Sequence, residues 1–246
     1  MPRTQVPGRQ VIRNYNSALM LNGSTSFVAL GNTGAISEAC STFTVACRFR
    51  RLSATGIQSL VGDLNSLVQH LSLYMNSANR LSSAILTNDG IFVYTAAMAI
   101  MRREWNTVVL TYNGANLNMV INGIFDLGVR AATGTLAGST SGMAIGRGQA
   151  GGRYFGGIQS ELRYWKDRVL TVEEAQDYTF YGVDNAAMRV NLAGEWLLNE
   201  GSGTTAFDTF GNDGTITAGT WTSVVPTIPR TLAGARTLAG ARTLAA

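Results

Sequence analysis

Polar and apolar residues alternate with a period of two through most of the chain, and only one stretch carries a helical pattern. In residues 41–50, Phe43, Val45, Cys47 and Phe49 fall on one face and Thr42, Thr44, Arg48 and Arg50 on the other, which predicts a strand half in a core and half in water. Trp105 to Tyr112 repeats the pattern with Val108, Leu110 and Tyr112 inward, and Leu117, Met119 and Ile121 continue it after an Asn113-Gly114 turn. Asn122-Gly123 then supplies the positive φ angles of a tight hairpin before Ile124-Phe125, so three strands run as a meander. Further strands are expected at 18–22, 26–30, 58–63, 67–75, 80–87, 91–95, 142–147, 156–165 and 192–198. The helix is expected at 171–178, with Thr171 as N-cap, Glu174 closing a capping box and Gly182 ending it. A dozen short strands with turn signals between them and one short helix predict an all-β, two-sheet antiparallel sandwich.

Composition agrees with a sizeable core. Of 246 residues, 46% are hydrophobic and only 14% charged, which excludes a disordered main body. No apolar run approaches the ~18–20 residues that span a bilayer, and residues 1–9 hold no hydrophobic segment of signal-peptide type, so synthesis in a cytoplasm without a signal peptide is expected. Basic residues exceed acidic ones by 4, and all but Lys166 are arginine; they are scattered, and no nucleic-acid motif accompanies them. Cys40 and Cys47, the two cysteines, lie too far apart along one extended strand for a disulfide and are read as reduced thiols.

The succession of short motifs resembles the laminin-G-like, concanavalin-A-like jelly roll. Residues 19–28, LMLNGSTSFV, are similar to its opening strand pair, and residues 43–50, FTVACRFR, to its next strand. The run from Trp105 through Val108-Val109-Leu110-Thr111-Tyr112-Asn113-Gly114 and residues 117–123, LNMVING, resemble the family's most recognisable hairpin, although the family more often has Asp before each Gly. Ile145-Gly146-Arg147, Phe155-Gly156-Gly157-Ile158, Glu161-Leu162-Arg163-Tyr164-Trp165 and Leu170-Thr171-Val172-Glu173-Glu174 complete the order, with about one extra residue near Lys166. The resemblance covers roughly residues 17–182. Residues 195–208 and 211–215 look like the segment that usually begins such a domain, yet they come last. Either a second, truncated copy starts there, or 192–222 is a permuted terminal segment that closes the same sandwich; the second reading is favoured. The expected domains are an arm at 1–16, a sandwich at 17–222 and a tail at 223–246.

Little catalytic chemistry is legible. His70 is the sole histidine, so any Ser-His-Asp arrangement must use it, and it is read as a strand residue with a hydrogen-bonded partner. The acidic pairs nearest to a two-carboxylate arrangement, Glu173/Glu174 and Asp208/Asp213, belong to a capped helix and a loop. Gly146-Arg147-Gly148 and Gly151-Gly152 precede no helix and read as sandwich loops rather than phosphate cradles. Asp208, Asn212 and Asp213 offer oxygen ligands in one tight loop and are weak candidates for calcium, although Asp and Asn beside Gly are also ordinary turn formers. The resemblance implies glycan binding, for which Tyr154, Phe155 and Asn88-Asp89 are available, with Phe155 equally suited to the core.

The tail repeats a hexad that puts Arg230, Arg236, Arg242, Leu232, Leu238 and Leu244 on one face of an extended segment. Ordering 17 such residues costs about 17–34 kcal/mol of backbone entropy. Burying three leucines returns only about 5–9 kcal/mol, so an ordered tail requires main-chain pairing with a partner. These residues are the expected assembly contacts with copies of the chain or with a capsid or surface-lattice protein. The leading functional expectation is a non-enzymatic structural protein of a repetitive assembly, such as a bacteriophage capsid decoration or fibre-associated protein on a virion or extracellular surface. The alternative is a lectin or adhesin module that binds cell-surface glycans.

Overall fold

A computed structural model describes residues 17–31, 34–53, 56–64, 70–149, 152–182 and 186–223. With strands numbered along the chain, the front sheet contains β1 (Ser17–Asn22), β3 (Phe43–Arg51), β8 (Trp105–Tyr112), β9 (Asn116–Ile121), β10 (Ile124–Phe125), β11 (Arg130–Ala131), β13 (Gly156–Lys166), β14 (Leu192–Trp196) and β17 (Thr220–Ser223). The back sheet contains β2 (Phe27–Gly31), β4 (Gln58–Asp63), β5 (Leu71–Met75), β6 (Arg80–Thr87), β7 (Gly90–Ala99), β12 (Met143–Ile145), β15 (Thr205–Ala206) and β16 (Gly214–Thr217). The front order is β10-β9-β8-β3-β13-β1-β17, with β11 also on β9 and β14 also on β13; the back order is β15-β16-β2-β12-β4-β5-β6-β7. Every pairing is antiparallel. This is the all-β sandwich that alternation predicts.

The inward rows meet between the sheets. Phe43, Val45, Cys47 and Phe49 of β3 pack with Val108, Leu110 and Tyr112 of β8 and with Leu71, Leu73 and Met75 of β5. The meander forms as expected, β8 to β9 to β10, and Asn122 (φ 52°) and Gly123 (φ 79°) make the left-handed turn between its last two strands. The late segment 192–222 lies in both sheets: β14 pairs with β13, β16 with β2 and β17 with β1.

Helix α1 (Val172–Tyr181) begins and ends where the sequence places it. Thr171 Oγ1 accepts from the Glu174 amide (3.2 Å), Glu174 Oε2 accepts from the Thr171 amide (3.0 Å), and Gly182 stands at the C-cap. The helix changes one expectation. Thr44 and Arg48 of β3, expected to face water, are buried, as is Ala46 between them. Leu170, Ala175 and Tyr178 fold back over the outer side of the front sheet and form a second apolar layer with Ala46, Val109, Trp165 and Met188, the last from α2 (Ala186–Arg189). Thr44 is absorbed by that layer, since its hydroxyl donates to Arg168 O (2.9 Å) and accepts from Leu170 N (3.0 Å). Alternation reports that a strand has two faces and is silent about what later covers the second one.

Both thiols are free and buried. Cys47 sits in the core, where burial pushes its pKa far up, and Cys40 Sγ lies 3.3 Å from the Tyr164 hydroxyl. Neither is a reactive thiolate.

Candidate functional site

The outer side of the back sheet carries the most distinctive surface. Inward Val28 and Leu30 turn Phe27 and Ala29 of β2 outward, and inward Leu71, Leu73 and Met75 turn Ser72 and Tyr74 of β5 outward. Between these strands lie β12 and β4, whose facing residues there, Ala144 and Gly62, are paired and small. The Gly-rich connection from β12 to β13 runs back across this shallow ground. Gln149 N donates to Asp63 O (2.9 Å), Arg153 N to Gly148 O (3.1 Å), and Ser59 N to Arg153 O (3.2 Å), which fixes the connection to β4.

That connection sets one arginine on each side of itself. The Arg147 guanidinium lies 4.9 Å from the centre of the Phe27 ring and 5.4 Å from that of Tyr154, and the two rings are 6.3 Å apart. The Arg153 guanidinium lies 5.5 Å from the Tyr74 ring. All five side chains are half-buried. From β2 to β5 is three strand spacings, so the two stacks stand about 14 Å apart at ~4.8 Å per strand. Gly152 fits against the Tyr154 ring, where an added Cβ would lie 2.5 Å from a ring carbon, and its φ is 80°. Among the described residues neither arginine has a carboxylate partner, and the buried Nε of Arg147 has no hydrogen-bond acceptor. Rigid rings with unspent guanidinium donors are suited to binding a planar anionic group beside an apolar surface.

The sequence singles out Tyr154 in this group but not Phe27, Tyr74, Arg147 as a stacked donor, or Arg153. Phe155 is fully buried, edge-on to Phe49 with ring centres 6.0 Å apart, and so belongs to the core. Asn88 and Asp89 lie in the β6–β7 turn, at the opposite end of β6 from Ser82, which pairs with Tyr74; the structure does not bring them to Tyr154. Thr135 N donates to Asn88 Oδ1 (2.6 Å), so that amide braces a neighbouring loop.

The calcium candidates do come together. Asp208 Oδ1 accepts from the Glu195 amide (2.7 Å), its Oδ2 from Asn212 N and Nδ2 (3.1 Å each), and Asp213 Oδ1 accepts from the Asp208 amide (2.9 Å). These oxygens are engaged by amide donors that tie the loop to β14, so its local order needs no cation. No group of three His, Cys, Asp or Glu side chains able to hold a metal occurs among the described residues. The assembly candidates Arg230, Leu232, Arg236, Leu238, Arg242 and Leu244 lie outside the described residues.

His70 stands just ahead of β5 rather than within the strand expected from 67, whose first residues lie outside those described, and it has the hydrogen-bonded partner expected of it. Its Nδ1 lies 2.9 Å from Asp63 Oδ1, its Nε2 lies 3.1 Å from Ile36 O, and its amide donates to Asp63 Oδ2 (2.7 Å). Ser139 Oγ donates to the same Asp63 (2.5 Å), so the hydroxyl is held by the carboxylate and not by the imidazole. Glu161 and Glu195, a pair the sequence reading passes over, bracket Arg163 in the outer layer of the front sheet. Burial pushes Glu195 up, but Arg163 and the Thr209 hydroxyl outweigh it and hold the carboxyl below its ordinary range. Both carboxyls are almost fully buried, and Arg163 and Glu195 are register partners on β13 and β14; the trio braces those strands together.

Comparison with known proteins places this architecture. The profile of the concanavalin A-like lectin/glucanases superfamily matches residues 22–176. No curated protein sequence matches. Among solved structures, a candidate carbohydrate-binding protein from Bacteroides ovatus superposes with a TM-score of 0.65 at 20% identity, over 85% of this chain and 60% of that one, so the chain spans less than two thirds of that protein's length. The CBM40 module of the Ruminococcus gnavus IT-sialidase, solved with alpha2,3 sialyllactose, gives 0.52 at 18% identity over 67% and 98%. The heptameric SAP-like pentraxin from Limulus polyphemus gives 0.52 at 16% over 67% and 82%. At these identities the superpositions show a shared fold. Because the profile spans more than half of the sequence and the two-sheet sandwich agrees with it, the chain belongs to the concanavalin A-like lectin/glucanases superfamily, in its laminin G-like branch.

Proposed function

We propose that the chain is a carbohydrate-binding module whose ligand is a saccharide bearing a carboxylate, taken up on the outer face of the back sheet. The observation that carries this reading is the pair of aromatic–arginine stacks flanking the 146–155 connection, with no acidic side chain paired to either guanidinium among the described residues. A bidentate arginine contact selects a carboxylate, while the half-buried rings offer apolar surface to a sugar face. The carbohydrate-binding structures that share the fold support the same reading, as far as fold likeness can. The account involves binding without turnover: the described carboxylate pair, Glu161 and Glu195, is spent on Arg163 and shielded from solvent. The expected anchoring of an assembly through residues 1–16 and 230–246 concerns residues outside those described, and the relatives named above come from carbohydrate-binding proteins and a pentraxin, not from a virion.

A glycan array tests the reading. Sialylated and uronate-containing glycans should retain the protein, and their neutral counterparts should not. Equal retention of neutral and acidic glycans, or no retention of either, would contradict it.

A further inference from the structure

Five arginines, scattered in the sequence, are brought to one end of the sandwich, where the turn from β7 to β8 passes from the back sheet to the front. In the front sheet Arg50 of β3 is the register partner of Trp105, the first residue of β8, so Arg50 and Arg51 stand beside that turn. Arg103 N donates to Arg51 O (3.0 Å) and Arg50 Nε to Arg103 O (2.6 Å), which ties Arg102-Arg103 to the end of β3. In the back sheet Arg80 pairs with Ala99, and Ile100 N donates to Asn79 O (3.1 Å), which sets the start of β6 against the same turn. Arg103 holds a left-handed φ of 64°, a conformation that residues with a side chain rarely adopt.

Arg51 is the unusual member. It is fully buried, 0% exposed, and arginine is almost never so without an ionised partner. Its guanidinium donates to Asn79 Oδ1 and to Gly56 O (3.2 Å), both neutral, and its buried Nε has no acceptor. Burial, and then the like charge of Arg102, push its pKa down. Among the described residues none of the five arginines forms an ion pair, and Glu104, the exposed acid of the same turn, is paired with none of them. One carboxylate against five guanidinium groups leaves this end with a large positive excess. A buried charge beside another of its own sign is stabilised most by a compact anion seated close above it. We infer that this end binds one phosphate or sulfate group, held by the exposed Arg102 and Arg103, with Arg51 supplying charge from beneath. Such a group carries about two charges and more acceptor oxygens than a carboxylate, so it answers more of these donors. The inference is independent of the saccharide reading, whose arginines stack on the outer face of the back sheet.

Calorimetric titration of the full chain with inorganic phosphate at neutral pH, with ionic strength held constant by chloride, tests it. Phosphate should bind with a Kd below about 1 mM and, at about 10 mM, raise the melting temperature by about 4 °C over the chloride control. Arg102→Gln with Arg103→Gln should weaken binding about tenfold or more, as loss of charge-assisted contacts does. Glu104→Gln should strengthen it, and Arg147→Ala should leave it unchanged. Arg51→Met should weaken it about threefold although the residue is out of contact. If that variant fails to fold, the double variant, altered only at exposed positions, carries the test. A hexose 6-phosphate titrated alongside separates the two sources of the group: equal or weaker affinity assigns a free ion, and tighter binding assigns a monoester. No saturable binding of either ligand, or binding undiminished in the double variant, would overturn the inference.

Discussion

Asp126 shows how much one residue can settle. It is buried, takes the Tyr94 hydroxyl, and accepts the amides of Ala97, Met98 and Gly128. Burial pushes its carboxyl up, but those donors together hold it below the ordinary value, and Glu195 is held low in a similar way by Arg163. A carboxyl whose folded pKa is depressed contributes stability above its unfolded pKa, and that contribution is lost as pH falls through the folded value. Urea unfolding should thus give a nearly constant stability from pH 7 down to about 5 and a decline below about 4. At pH 7, Asp126→Asn should cost about 2–3 kcal/mol, the size of a hydrogen-bond set to a buried charge. None of this is legible in the sequence, where Asp126 reads as a loop acid. The partners that define it lie on β7, about thirty residues earlier.

At the scale of elements the sequence is far more informative. The longer strands up to Trp196, the Asn122-Gly123 turn and both ends of α1 follow from alternation and capping chemistry, whereas β11, β15, β16 and β17 are too short for alternation to announce them. The departures have local causes. β7 extends to Ala99, beyond the expected 95, because Ala96, Ala97 and Ala99 are too small to mark an alternating face. The outer side of β3 is dry because α1 returns across it. Thr171→Ala should cost about 1 kcal/mol in chemical denaturation, since the Glu174 amide loses its acceptor. The candidate face illustrates the limit of pattern reading: Phe27 and Tyr74 are ordinary outward strand residues until the sheet order places β2 and β5 on either side of the connection that holds Arg147 and Arg153.

The whole molecule depends on its last strands, although the family profile stops at residue 176. β14, β16 and β17 pair with β13, β2 and β1, and Trp196 is buried in the main core with its Nε1 donating to Asn212 O (3.1 Å). A chain ending at Asn191 should therefore fail to give a cooperative melting transition, while one ending at Ser223 should melt like the full chain. β16 flanks the binding face, with Thr217 the register partner of Phe27, so the face should be retained in the longer truncation and lost in the shorter one. Its ligand class is the centre of the account, and calorimetric titration with an acidic glycan selected on the array, against its carboxyl-reduced form, tests it most directly. The account predicts that reduction of the carboxylate, or Arg147→Ala with Arg153→Ala, weakens binding about tenfold to a hundredfold, as loss of one charge-assisted contact of ~1.5–3 kcal/mol requires. Unchanged affinity after either change would contradict it.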